Sequence, residues 1–170
     1  MEELTNTDKE VLNRHAIRAK VLQALYAQFA SGDEPTFVFK HLLEESFQTL
    51  RKTFLSNPAQ GDDSKFLSDL FFDTLKKRGT LETLIQTKIE NWDYQRIAII
   101  DRILLLMGVY EMLHMEEVPV KVTINEYVEL AKEFSTEKSN QFVNGILDAL
   151  HLELDRLGSI KKTGRGLIDR

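Results

Sequence analysis

The chain contains no cysteine among its 170 residues, which excludes disulfides and thiolate metal sites. A reducing, cytoplasmic setting is the expectation that fits. Only three prolines occur, Pro35, Pro58 and Pro119, each between helical patterns. Strand-like alternation is nearly absent. No apolar run approaches the ~20 residues of a membrane span. The longest, Ile97 to Met107, is broken by Asp101 and Arg102. The beginning, Met1-Glu2-Glu3-Leu4-Thr5-Asn6, is polar and acidic, so no signal peptide is expected. Also missing are a Gly-x-Ser-x-Gly elbow, a Walker loop and a Gly-rich dinucleotide turn. The expectation is therefore a non-enzyme without cofactor. Positive charge is in short supply: the net charge of −5 means the whole molecule repels nucleic acid at long range. Any nucleic-acid site must be a local basic patch.

What is present is helix. Composition is 42% hydrophobic and 29% charged, as in an ordinary globular protein, which argues against disorder. A first helix is expected over about Asp8–Phe29, with Ile17, Val21, Leu25 and Phe29 recurring every four residues. A second carries Phe39, Leu43, Phe47, Leu50 and Phe54, and Asn57 to Asp63 reads as a loop. A third carries Phe66, Leu67, Leu70, Phe71 and Leu75 and ends at Gly79; Thr80 then caps a short fourth. The fifth, about Tyr94 to Met115, is apolar nearly all round and so central. The sixth starts with a capping box, Thr123 and Glu126, stapled by Val122 and Tyr127. Ser135 caps the seventh, which runs to about Leu157 and stops at Gly158. The expected architecture is all-α: a seven-helix bundle of two small sub-bundles sharing a core. It comprises a single domain over 1–158 and a loose basic tail over 159–170.

Three features point outward. On the seventh helix the apolar stripe is Val143, Ile146, Leu147, Leu150, Leu154 and Leu157. Phe142 lies roughly 90° from its centre, with Lys138 at i−4 and Gly145 at i+3. A cation, a ring and a small residue could hold an unstacked base; Phe142 could equally pad the edge of the core. Arg14 and Arg18, with Lys9, His15 and Lys20, make the start of the first helix cationic. They suit phosphate, or else form salt bridges in a solvated turn. A second basic cluster, Arg156, Lys161, Lys162, Arg165 and Arg170, serves phosphate contact or solubility. Gly145 inside a helix costs ~1 kcal/mol relative to Ala. A close helix crossing or a partner must offset that cost. Asp101-Arg102 in an apolar helix is either paired internally or covered by a partner. Glu111-x-x-His114 has di-iron spacing, but no second such pair exists, so no metal is expected.

These residues resemble a known family. Arg14-His15-Ala16-Ile17-Arg18-Ala19-Lys20-Val21-Leu22-Gln23-Ala24-Leu25-Tyr26 is similar to the opening helix of the bacterial transcription antitermination factor NusB family. So are Trp92, Arg96-Ile97, Asp101-Arg102 and Val109-Tyr110-Glu111. Most specific are Val118 to Glu126 and Phe142-Val143-Asn144-Gly145-Ile146-Leu147-Asp148. The resemblance covers about Arg14–Leu150, and matches poorly over Ser31–Gly79. It implies binding of boxA-type single-stranded RNA with the ribosomal protein NusE. That pair would join RNA polymerase and other Nus factors, notably on ribosomal RNA operons. The residues it implies for RNA are Arg14, His15, Arg18, Lys138, Gln141 and Phe142. Those implied for NusE are Tyr26, Gln95 and Asp101. Here the N-terminal arginine run is thinner, and Lys138 stands where some members are acidic, which could strengthen RNA binding. The alternatives are a helical protein–protein adaptor that never touches RNA, and a module once attached to an RNA methyltransferase. The chain has no room for that enzyme's α/β domain.

Overall fold

A computed structural model describes residues 6–44 and 60–168, the side chains of 6–13 and 60–62 apart. Phe47, Leu50, Phe54 and the start of the expected loop, 57–59, lie outside the described residues. Among the described residues the fold is all-α, with seven α-helices and no strand. No described helix is long and apolar enough to cross a membrane. The chain divides into two compact units, Met1–Asp73 and Thr74–Arg170.

In the first unit, α1 (Asn6–Ser31) buries most of the predicted stripe: Ile17, Val21 and Leu25, with Leu22 beside them, are at most 3% exposed, whereas Phe29 at its end is half-buried. Gly32 stops it at φ +72°, a backbone angle that glycine adopts without a Cβ clash. Pro35 opens the short α2 (Pro35–Val38), and one π-helical stretch follows over Phe39–Glu44. Both pack on α1. Phe39 stacks on Phe72 of α3 (Gln60–Lys76), centroids 4.8 Å apart. Residues 60–63, expected as loop, are the first turn of α3.

In the second unit, the chain turns at Lys77 alone, and α4 (Arg78–Gln86) already contains Gly79 and Thr80. Thr80 is therefore no cap. The Leu81 N–H donates to Lys77 O at 3.0 Å, and Arg78 pairs with Glu82 one turn on, at 2.6 Å, so the helix is under way before Thr80. Asp93 caps a separate 3-10 turn, Tyr94–Arg96, by accepting the Gln95 N–H at 3.0 Å. Ile97 is extended, so the central helix α5 (Ile99–His114) begins later than the apolar pattern does. Ile103 to Met107, Val109 and Met112 of α5 are fully buried. It packs on α4, α6 (Val120–Phe134) and α7 (Glu137–Arg156). Each such aliphatic side chain contributes roughly 1.5–3 kcal/mol of burial.

The capping box is not formed. Pro119 occupies the cap position and α6 starts at Val120, so Thr123 lies a turn inside it. The Thr123 hydroxyl is buried and donates to Glu111 Oε1 of α5 at 3.2 Å; Tyr127 donates to Oε2 at 2.6 Å. Val122 is 42% exposed, so it does not staple the entry. Glu111 is thus occupied by two hydroxyls in the core. The close crossing is at Gly108, not Gly145. A Cβ on Gly108 would meet Leu147 at 3.0 Å and Tyr127 at 3.4 Å, whereas one on Gly145 would meet nothing within 4 Å.

α7 ends as expected, with Gly158 at φ +67°. The segment after it is not loose. Ile160 and Lys162 are buried. Lys162 Nζ donates to Met115 O at 2.8 Å and Glu111 O at 3.3 Å, capping the end of α5. The Thr163 N–H donates to Glu116 O at 3.0 Å. Gly166 passes so close that a Cβ would lie 1.9 Å from Glu116 O. The lysine read as part of a basic tail is a helix cap.

Candidate nucleic-acid interface

The start of α7 presents the outward residues. Ser139 and Val143 face the core, 5% and 0% exposed. A 3.6-residue period then turns Lys138 and Gln141 to solvent and leaves Phe142 half-buried at the rim. Phe142 and Ile146 form one wall of a groove of about 400 Å³; the loop after α4 supplies Lys88, Ile89, Asn91 and Trp92. Trp92 is 70% exposed, so its indole stands open beside the half-buried ring. The reading of Phe142 left Trp92 out. Trp92 entered the sequence reading only through the family resemblance, and its place in the same groove as Phe142 arises from tertiary packing. Lys88 adds little free charge to the groove, because it is ion-paired with Glu153 of α7. That hydrogen bond, with the lysine's charge, holds the Glu153 carboxyl below the usual carboxylate range.

The cationic start of α1 is different. Arg14 Nε donates to Asp63 Oδ1 at 2.9 Å, and its guanidinium lies 4.1 Å from the Phe66 ring centre. Arg18 lies 5.1 Å from the same ring and is only 2% exposed. The sequence reading put Arg18 on phosphate; here it is a buried cation on an aromatic face. His15 is half-buried.

The three residues read as a partner face also separate. Tyr26 is 45% exposed. Gln95 is exposed and accepts from Arg102 at 3.2 Å. Asp101 is buried, 6% exposed, and is paired inside the fold. Its carboxylate accepts hydroxyls from Ser135 (Oδ1, 2.7 Å) and Ser139 (Oδ2, 2.8 Å). Ser135 is not the cap of α7 either. Thr136 holds that position, without a side-chain cap bond.

A sequence profile of the NusB family matches residues 15–151. The chain belongs to the NusB family. That family consists of transcription antitermination factors, not enzymes. The transcription antitermination protein NusB of Salinibacter ruber is 39% identical over 157 residues, covering 92% of this chain and 91% of that protein. The Bacillus cereus protein of the same name is 34% identical over 137 residues, covering 80% and 95%. Among solved structures, NusB of T. maritima is 28% identical, with a TM-score of 0.66, covering 82% of this chain and 91% of that one. A structure described as antitermination factors NusB and NusE in complex with dsRNA is 22% identical, with a TM-score of 0.68, covering 83% and 97%. That likeness speaks to the NusB fold alone. The NusB match ends before the segment that caps α5.

Proposed function

We propose that this NusB-family chain is an antitermination factor that binds boxA-type single-stranded RNA together with the ribosomal protein NusE, and so joins RNA polymerase and other Nus factors, notably on ribosomal RNA operons. The observation that carries this reading is the groove at the start of α7. A half-buried Phe142 and an exposed Trp92 both line it, with Lys138 one turn back and Gln141 next to Phe142 open to solvent. Aromatic faces take unstacked bases of any sequence, and a nearby ammonium takes the phosphate. Gly145 supports the same reading. Among the described residues nothing lies within 4 Å of where its Cβ would be, and close approach by a partner would account for a helix-interior glycine. Of the α1 residues, His15 and the partly exposed Arg14 keep a part in phosphate binding (the Arg14 side chain is 28% exposed), whereas Arg18 does not. Tyr26 and Gln95 remain the proposed NusE contacts.

The test is a gel-shift titration of the chain with a boxA-like RNA, with and without NusE, at two salt concentrations. A duplex of the same sequence serves as control, since the NusB–NusE structure above was described with double-stranded RNA. Single-stranded RNA should bind tightly with NusE present, and affinity should drop steeply with salt. Phe142→Ala should cost about 1–3 kcal/mol of RNA binding. Undiminished affinity in folded Phe142→Ala would leave the adaptor reading.

A further inference from the structure

The buried Asp101 has a task that none of the groove residues perform. α7 begins without a side-chain cap of its own: Thr136 makes no bond to the first-turn N–H groups. Uncapped helix starts fray, because their first N–H groups lack partners. Yet the outward residues Lys138, Gln141 and Phe142 stand in that first turn and the next. What ties the turn down comes from another helix. Asp101, on the first turn of α5, accepts the Ser135 hydroxyl at 2.7 Å and the Ser139 hydroxyl at 2.8 Å. Ser139 Oγ in turn lies 2.8 Å from Ser135 Oγ and 3.0 Å from Thr136 Oγ1. One carboxylate so holds two hydroxyls across the α6–α7 junction, and a third, that of Thr136, through Ser139. A negative charge near helix N-termini is also favoured by their dipoles. Ser139 is buried, and Lys138 beside it is exposed. Fixing the first therefore fixes the direction of the second.

We infer that Asp101 is a positioning residue for RNA binding: through Ser135 and Ser139 it sets the first turn of α7, and with it Lys138 and Phe142, rather than touching a partner. This rests on the RNA reading of the α7 groove.

The experiment uses the full chain with NusE and boxA-like RNA, and compares Asp101→Ala, Asp101→Asn, Ser139→Ala, Lys138→Ala and Phe142→Ala across a salt series. Asp101→Ala should weaken RNA binding on the order of tenfold, the scale of a lost helix cap. It should also flatten the salt dependence by about 0.7 in slope, one phosphate contact to a single strand, as Lys138→Ala does. Adding Lys138→Ala to Asp101→Ala should then change little, because the two act through one contact. Asp101→Asn, with an oxygen to accept one hydroxyl and an amide to donate to the other, should restore most of the affinity. Ser139→Ala, a milder change that keeps the carboxylate, should shift binding in the same direction should Asp101→Ala fail to fold. A merely structural role would lower the melting temperature without touching the salt slope, and that result overturns the inference. So does a loss of NusE binding in Asp101→Ala without RNA, which would mark direct partner contact. If Lys138→Ala and Phe142→Ala bind RNA normally, the RNA reading itself falls and the inference falls with it. If they weaken binding but Asp101→Ala does not, only the inference is lost.

Discussion

The start of α1 and the start of α7 both read as cationic or aromatic faces awaiting a ligand, yet they differ in what their side chains already hold. On α1, Arg14 is paired with Asp63 and laid on Phe66, and Arg18 is buried against the same ring. On α7, Lys138 and Gln141 are exposed and Phe142 borders an open groove. The capping segment resembles α1: Lys162 is buried with its ammonium on the carbonyls that end α5. Counting cations along a sequence therefore overstates the charge available to phosphate. An arginine that has an aromatic face and a carboxylate within reach has its attraction satisfied inside the fold.

The largest effect that would break this comparison is at Arg18. Arg18→Ala removes a buried side chain from over Phe66 and should cost about 3 kcal/mol of stability, read as a lower denaturant midpoint. RNA affinity per folded molecule should stay the same. A stable Arg18→Ala protein with weakened RNA binding would put α1 on the same footing as α7. A second, smaller effect sharpens it at the other end of the chain. Lys162→Ala leaves the α5 carbonyls uncapped and should cost about 1–3 kcal/mol, by thermal melting, with no change in the salt dependence of RNA binding. A flattened salt slope in that variant would show that the ammonium reaches phosphate after all.

Local signals were read well where the physics is local. The all-round apolarity of Ile103 to Met107 marked α5 as central, and Gly158 marked the end of α7 through a positive φ. The stripe of Ile17, Val21 and Leu25 fixed the buried face of α1. What failed depended on partners far along the chain. Thr123 with Glu126 has the spacing of a capping box, but spacing does not say whether the hydroxyl serves its own helix or Glu111, 12 residues back. Nothing near Asp101 in the sequence names what pairs with it, because Ser135 and Ser139 lie 34 and 38 residues on. The groove was half legible: Phe142 was visible as off-stripe, while Trp92 reaches it only through packing of the loop after α4.

The smallest expected effect separates fold from function most cleanly. Gly145 sits in α7 with open space where a Cβ would be, so Gly145→Ala clashes with nothing among the described residues. It should raise stability by roughly 0.5–1 kcal/mol, because alanine loses less backbone freedom than glycine on entering a helix. If a base or a partner backbone approaches between Phe142 and Ile146, the same methyl group should obstruct it and weaken binding even as the melting temperature climbs. Opposite signs for the two measurements in one variant would mean that glycine is kept there for what lands on α7. A gain in both would mean that the surface at 145 is bare in the complex, and contact would then be confined to the Lys138 and Phe142 side of the helix.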